Sequence, residues 1–304
     1  MKAVRLQAHG DADQLRYEDA PDPRPGADDV LIRIAAISLN PVDMLVRQGW
    51  MKERFALRFP AILGVDAAGT VLSVGANVTA FQAGDRVLGK FPINGRGTMA
   101  EQALALPAQL AKMPDGLSFE AAATLPMAGL TGRQAVDALN VAAGDRVLVT
   151  GALGAVGRVA VQYLKELGAR PVAMVRAARL EEGRALTGEV FTPGDETVAS
   201  FAGAVDTAGG DVAAMATRMV RDGGTVATVA AVVPFPGEVE ADSRVSIRHV
   251  VNRDDSAMLG RIAEAAAAGN LMLPIARTFD LAQASQASRL LESGRPDGKI
   301  LLIP

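Results

Sequence analysis

Cysteine is absent from all 304 residues. That excludes a disulfide framework, a thiolate nucleophile and any cysteine-ligated metal site. Aromatic residues make up 4% of the chain, which argues against an aromatic-rich binding groove and suits helices packed closely on sheet. No apolar run approaches the ~20 residues that a membrane span needs. Charge of one sign is also missing in excess: the formal net charge is -3 with both signs mixed, so neither nucleic acid nor an anionic membrane is expected as a partner. The opening "MKAVRLQAHG" has no apolar leader core and reads as mature protein. A soluble, cytoplasmic protein is expected, and its length suits two domains of ordinary size.

Two textures are present. From residue 1 to about 120, short β-like runs such as "DVLIRIAAISL" and "AAGTVLSVG" alternate with Gly, Pro, Asp and Asn breakers, as in a barrel. From 121 to 253, strand-like and helix-like runs alternate: "DRVLVTGA", "AVGRVAVQYLKELGA", "RPVAMVRA" and "FAGAVDTAGG". That order is the sequence form of βαβ units in a parallel sheet. Residues 254–304 return to an amphipathic helix and a closing strand-like "GKILLIP". No internal repeat is apparent.

In the middle segment the strand "RVLVT" runs into "GALGAVG" and then a helix. Ala152, Gly154 and Gly157 fit A-x-G-x-x-G, a small-residue variant of the dinucleotide-binding turn. Ala152, next to Gly151, allows the tight turn, Gly154 lets backbone approach a pyrophosphate, and Gly157 lets helix and strand pack closely. Free N–H groups at Ala155 and Val156 would meet the phosphate oxygens. An NAD site usually ends its second strand in an acid that binds the ribose hydroxyls. Here that strand ends in Arg176, with Arg179 just after it. A guanidinium there suits a 2'-phosphate, so NADP(H) is the expected cofactor; a solvated surface arginine is the alternative, and fits Arg179 better than Arg176.

The ordered segments "NPVDMLVRQG" (40–49), "FPAILGVDAAGTVLSVGANVTAFQAGDRVLG" (59–89), "GTMAEQALA" (97–105), "AATLPMAGLTG" (122–132), "GALGAVG" and "GKILLIP" carry a further signal. Together they resemble the medium-chain dehydrogenase/reductase superfamily, and most of all its zinc-independent quinone oxidoreductase branch, with zeta-crystallin-type and alkenal/enone reductases. The resemblance implies an α/β protein: a GroES-like β-barrel catalytic domain from 1–120 and 254–304, and a doubly wound Rossmann domain over 121–253, with the active-site cleft between them. Homodimers are common in that family.

Zinc alcohol dehydrogenases carry Gly-His-Glu where this chain has Gly64, Val65 and Asp66. Only His9 and His249 are available besides, so no zinc set is expected. A tyrosine proton donor common in the branch is replaced by Met51, preceded by Trp50. The resemblance assigns Asn40 and Asp43 to the reacting centre, with a turn and a helix cap as their alternatives. It also assigns Trp50 and Met51 to the substrate wall, Thr131 to the cofactor or to a cap, and the backbone around Ala230 and Ala231 to the nicotinamide. The implied activity is NADPH-dependent reduction of a quinone or of the C=C bond of an α,β-unsaturated carbonyl, without zinc. A nonenzymatic NADPH-binding regulatory or structural protein of the same fold is the alternative.

Overall fold

The structure is a computed structural model and describes residues 1–195, 200–230, 242–294 and 296–304. The chain forms two compact units, one of residues 1–127 with 254–304 and one of residues 128–253.

The first unit opens with β1 (Lys2–Leu6) and β2 (Leu15–Asp19), then β3 (Val30–Ser38) and the short helix α1 (Pro41–Arg47). Strands β4 (Ala61–Ile62), β5 (Asp66–Val74), β6 (Arg86–Lys90), β7 (Gln102–Ala105) and β8 (Leu110–Lys112) follow, with helix α2 (Phe119–Ala123) after them. Nine-residue β3 is the spine: it pairs antiparallel with β5 on one side and with β7 on the other. Val30, Ile32 and Ile34 alternate with more exposed neighbours along its first half, the period-2 pattern of a strand with one buried face. Helix α2 packs on β3, β5 and β6. The chain therefore leaves this unit at Met127 and not at residue 120, where the texture of the sequence changes.

Helix α3 (Pro126–Asp137) carries the chain into the second unit, where β9 (Arg146–Thr150), α4 (Ala155–Glu166), β10 (Arg170–Met174), α5 (Leu180–Thr187), β11 (Val190–Phe191), β12 (Phe201–Asp206), α6 (Gly210–Met219), β13 (Val220–Thr228) and β14 (Ser246–His249) follow. The strands form one parallel sheet in the order β11-β10-β9-β12-β13-β14. Strands added after β9 go first to one side and then to the other, so the order reverses between β9 and β12, where doubly wound sheets bind ligands beyond the strands' carboxyl ends. Val147, Leu148 and Val149 of β9 are all fully buried, as expected of a strand covered on both faces. Helix α4 buries Gly157, Val159, Ala160, Val161 and Leu164, one stripe at helical spacing.

The chain then returns to the first unit as α7 (Ser256–Ala267), β15 (Ile275–Asp280), α8 (Ala284–Glu292) and β16 (Lys299–Ile303). Strand β16 pairs antiparallel with β3 and parallel with β15, so the C-terminal strand sits inside the first unit's seven-stranded sheet. Among the described residues, no helix is long and apolar enough to cross a membrane.

Helix α1 is tied to α8 by Arg47, which is buried, with its guanidinium against Glu292 and donating to the carbonyl of Gly10. Burial works against the charge and lowers the Arg47 pKa. Glu292→Ala is expected to cost about 2–3 kcal/mol, below the ~3–5 kcal/mol of a fully enclosed pair, because Glu292 retains 28% exposure. Arg47→Met removes both the charge and its need for a partner, and is expected to cost less. Urea unfolding midpoints of the two variants check the order; a larger loss in Arg47→Met overturns it.

Candidate functional site

The glycine turn is built where β9 ends. Gly151 has φ +58, a left-handed conformation that glycine adopts without strain. The chain closes through Gly154 N–H donating to Gly151 O at 2.9 Å, and Gly154 is the extended residue that starts α4. Ala155 and Val156 are therefore the first two helical residues, whose N–H groups have no partner within the helix. A Cβ on Gly157 would lie 2.4 Å from Gly151 O and 2.7 Å from Ala152 Cα. The helix can sit this close to the strand only because that position is glycine. Ala152 is fully buried beneath the turn, while Gly154 is exposed. Small residues, a left-handed corner and free helix N–H groups together leave room for a phosphate against backbone, so these residues fit a dinucleotide's pyrophosphate.

Arg176 lies just past β10 and is exposed; its carbonyl accepts from Arg179 N–H at 2.8 Å, and among the described residues its guanidinium has no hydrogen bond or ion pair. Arg179 differs: its Nε donates to Glu182 Oε1 at 2.8 Å and a second nitrogen contacts Glu182 Oε2. The Arg179 hydrogen bond is the main reason that the Glu182 carboxyl lies below its ordinary range; Arg158 adds to the effect. Arg158 is thus a third guanidinium near this end of the turn, its Nε donating to Leu153 O at 3.0 Å. Ala230 follows β13, and its N–H approaches Thr228 Oγ1 at 3.3 Å; Ala231 lies outside the described residues. Thr131 sits in the second turn of α3 and accepts from Asn252 Nδ2 at 2.9 Å. The helix begins at Pro126, so Thr131 is not its cap.

In the first unit, Asn40 is 3% exposed and sits between β3 and α1. Its amide nitrogen donates to Ser38 O at 3.1 Å and to Asp66 Oδ2 at 2.9 Å, and its amide oxygen accepts from Lys299 Nζ at 2.7 Å. Both amide hydrogens are thereby engaged. The Asp43 carboxylate accepts from the backbone N–H of Asn40 at 2.8 Å, so it caps the start of α1 as the sequence allowed. Asp66 Oδ1 accepts from Met127 N–H at 2.9 Å, and Lys299 Nζ lies 3.7 Å from Asp66 Oδ2. Two acids and one lysine are thus enclosed together. Burial pushes Asp43 up to about 7 and Asp66 up to about 6, and it lowers Lys299. A void of about 10 Å³ borders Asp43, Val46, Leu63 and Gly64, about the space of one water.

Met51 is buried in the first unit and Trp50 is 59% exposed on the loop after α1. Tyr163 donates from its hydroxyl to Asp137 at 3.0 Å. His9 Nδ1 lies 3.0 Å from Val46 O. Among the described residues, no group of three or more His, Asp or Glu side chains is placed to hold a metal ion. Sequence reasoning missed Asp66 and Lys299 as members of this cluster, and Asp206 in the second unit. The available signal was a lysine opening the otherwise apolar strand "KILLI" and an aspartate closing the apolar "FAGAVD".

The buried cluster has a pH signature. Acids held above their ordinary range make the folded state bind more protons than the unfolded state from about pH 4 to about 7, so their contribution to stability falls as pH rises through that window. Lys299, shifted down, acts oppositely in the alkaline range. Lys90 also faces Asp66, lowering its pKa. Asp43→Asn removes one acid from this balance. Relative to the variant, the wild type is expected to be most stable at or below about pH 4 and to lose that advantage by about pH 8, as followed by urea midpoints. A difference that is flat across this range shows that Asp43 stays ionised throughout.

Residues 26–115 match the family described as Alcohol dehydrogenase GroES-like domain, and residues 167–302 match the family described as Zinc-binding dehydrogenase. The chloroplast envelope quinone oxidoreductase homolog of Arabidopsis thaliana is 36% identical over 191 residues, 60% of this chain and 57% of that protein. The 2-methylene-furan-3-one reductase of Solanum lycopersicum is 30% identical over 324 residues, covering 100% of this chain and 79% of the relative. The solved structure of the quinone oxidoreductase from Coxiella burnetii superposes with a TM-score of 0.90 at 27% identity, over 100% of this chain and 99% of that one. The chain spans about half the length of several other curated relatives that it matches. A GroES-like unit, a parallel sheet with its glycine turn at the order reversal, and a relative matched along the whole chain lead to one conclusion: the protein belongs to the medium-chain dehydrogenase/reductase superfamily.

Proposed function

We propose that this chain is an NADPH-dependent reductase that delivers hydride to a quinone or to a C=C bond conjugated to a carbonyl, and that it works without zinc. The observation that carries the cofactor half of this reading is Arg176. It stands exposed after the second strand of the βαβ unit, where an acid would select NAD, while Arg179 is already engaged by Glu182. A guanidinium at that place favours a 2'-phosphate through charge-assisted hydrogen bonds. The names of the Arabidopsis and tomato relatives support the quinone and enone classes of acceptor.

When bound, the reduced nicotinamide supplies the hydride. The chain's own contribution is placement: Gly151, Ala152 and Gly154 shape the turn, Ala155 and Val156 offer N–H groups to the pyrophosphate, and Ala230 lends backbone to the nicotinamide. Asn40 and Asp43 enter as residues that hold the corner between β3 and α1, because both amide hydrogens of Asn40 are used inside the unit. Charge developing on the substrate oxygen then falls to backbone N–H groups or a ribose hydroxyl. Trp50, with Met51 behind it, is the proposed apolar wall for substrate. The donor set supports chemistry without zinc: the chain has no cysteine, and Gly64-Val65-Asp66 stands where zinc enzymes of this superfamily carry a histidine and a glutamate. A cytoplasmic homodimer completes the proposal. The second reading, a binding protein without turnover, is separated from the first by NADPH consumption with a quinone panel and an enal panel.

Arg176→Ala is expected to weaken NADPH by about tenfold to a hundredfold, the value of one charged hydrogen-bonding contact at roughly 1.5–3 kcal/mol. NADH, which has no 2'-phosphate, should hardly change. Fluorescence titration of both cofactors decides this; equal weakening makes Arg176 structural.

The fate of the hydrogens tests the reaction class. With an enone and C4-deuterated NADPH in ordinary water, deuterium is expected only at the β-carbon. With ordinary NADPH in heavy water, exchange-corrected label is expected at the α-carbon. Deuterium on the carbonyl carbon, giving an allylic alcohol, identifies a carbonyl reductase instead.

A further inference from the structure

Three neighbouring strands of the second unit, β9, β12 and β13, end in Thr150, Asp206 and Thr228, at the carboxyl edge where the strand order reverses. Asp206 is fully buried, and no cation pairs with it among the described residues. Its carboxylate is satisfied by neutral donors alone. Oδ1 accepts from Thr150 Oγ1 at 2.7 Å and from the N–H groups of Ala208 and Gly209 at 3.1 Å each. Oδ2 accepts from Thr228 Oγ1 at 2.8 Å. One carboxylate therefore holds the ends of two other strands, one through each oxygen.

The two arms reach different parts of the edge. On the Oδ1 side, Thr150 Oγ1 accepts from Thr207 N–H at 2.9 Å, and Thr207 Oγ1 donates back to Thr150 O at 2.8 Å. Thr207 Oγ1 also lies 2.4 Å from where a Cβ on Gly151 would stand. This arm therefore braces the first corner of the glycine turn. On the Oδ2 side, Thr228 Oγ1 accepts from Ala230 N–H at 3.3 Å, and Val229 N–H donates to Asp206 O at 2.9 Å. This arm fixes the backbone that leaves β13.

We infer that Asp206 is a positioning residue that sets the two halves of the cofactor site separately, the pyrophosphate turn through Thr150 and Thr207 and the nicotinamide-facing backbone through Thr228. The inference rests on the proposed nicotinamide cofactor and adds residues outside the glycine pattern. Substitution by alanine removes both arms, and substitution by asparagine keeps them on chemical grounds. Three donors converge on Oδ1, so the amide oxygen takes that place, and the amide nitrogen donates to Thr228 Oγ1, which can accept as well as donate. Asp206→Asn should therefore keep both arms, whereas Asp206→Ala should lose both.

Calorimetric titration of the full chain with NADPH and with 2'-phospho-ADP-ribose, which carries the pyrophosphate but no nicotinamide, reads each arm. In the wild type, the ratio of the two affinities measures what the nicotinamide contributes. Thr150→Val is expected to weaken both ligands together by about tenfold, the scale of a lost hydrogen-bonded brace, and to leave the ratio as in the wild type. Thr228→Val is expected to leave 2'-phospho-ADP-ribose within about twofold and to bring the ratio toward one, and Asp206→Ala to show both effects together. Thr150→Ser and Thr228→Ser keep the hydroxyls and should restore wild-type values, even where a valine variant folds poorly. If Thr228→Val follows Thr150→Val, if Asp206→Ala or all variants bind as the wild type does, or if the wild-type ratio is already one, the two-arm assignment is wrong while the cofactor reading stands. Failure of the wild type to bind either ligand sinks the cofactor reading itself.

Discussion

A carboxylate taken out of water costs several kcal/mol unless donors surround it, and each unit of this protein is arranged around one such group. In the first unit Asp66 is met by the Asn40 amide, the Met127 N–H and, at longer range, the Lys299 ammonium. In the second unit Asp206 is met by two threonine hydroxyls and two backbone N–H groups. The requirement is the same, and the donors come from segments far apart in the chain. Each carboxylate therefore fixes several chain segments at once.

The choice of donors changes the consequences. A lysine brought in against two buried acids leaves the first unit with three charges to balance, and burial drives Asp43 and Asp66 upward and Lys299 downward. The second unit avoids an ammonium and satisfies Asp206 with neutral donors whose directions are set by strand ends. That suits the two roles proposed here: a corner in the first unit where α1 starts, and in the second a rigid edge on which backbone groups meet a dinucleotide. Both place the proposed machinery on regular elements, where small residues and fixed donors can hold a position closely.

The parts legible in the sequence are those made by neighbours in the chain. The turn from Gly151 to Gly157, the buried stripe of α4 and the strand on either side of it follow from periodicity and from residues within a few positions of one another. Arg176 at the end of the second strand was legible for the same reason. The ordered motifs also carried the two-unit architecture. The boundary at Met127 was less legible, because α2 stands where the texture of the sequence changes and only its packing places it on strands of the first unit. For Thr131 the sequence left a cofactor contact and a cap both open, and only the start of the helix at Pro126 removes the cap.

Sequence alone determined the strand–turn–helix that could take a phosphate, the absence of cysteine ligands and the arginine in place of a ribose-binding acid, since each is a matter of composition or local spacing. Only the tertiary structure decided which polar groups are spent within the protein and which remain to be used. Lys299 meets Asn40 across 259 positions, because β16 is inserted beside β3. Asp206 meets Thr150 and Thr228 because three parallel strands end side by side. Hydrogen bonds are short-ranged and directional, so a partner brought in by sheet pairing leaves no trace in the spacing of the residues it joins.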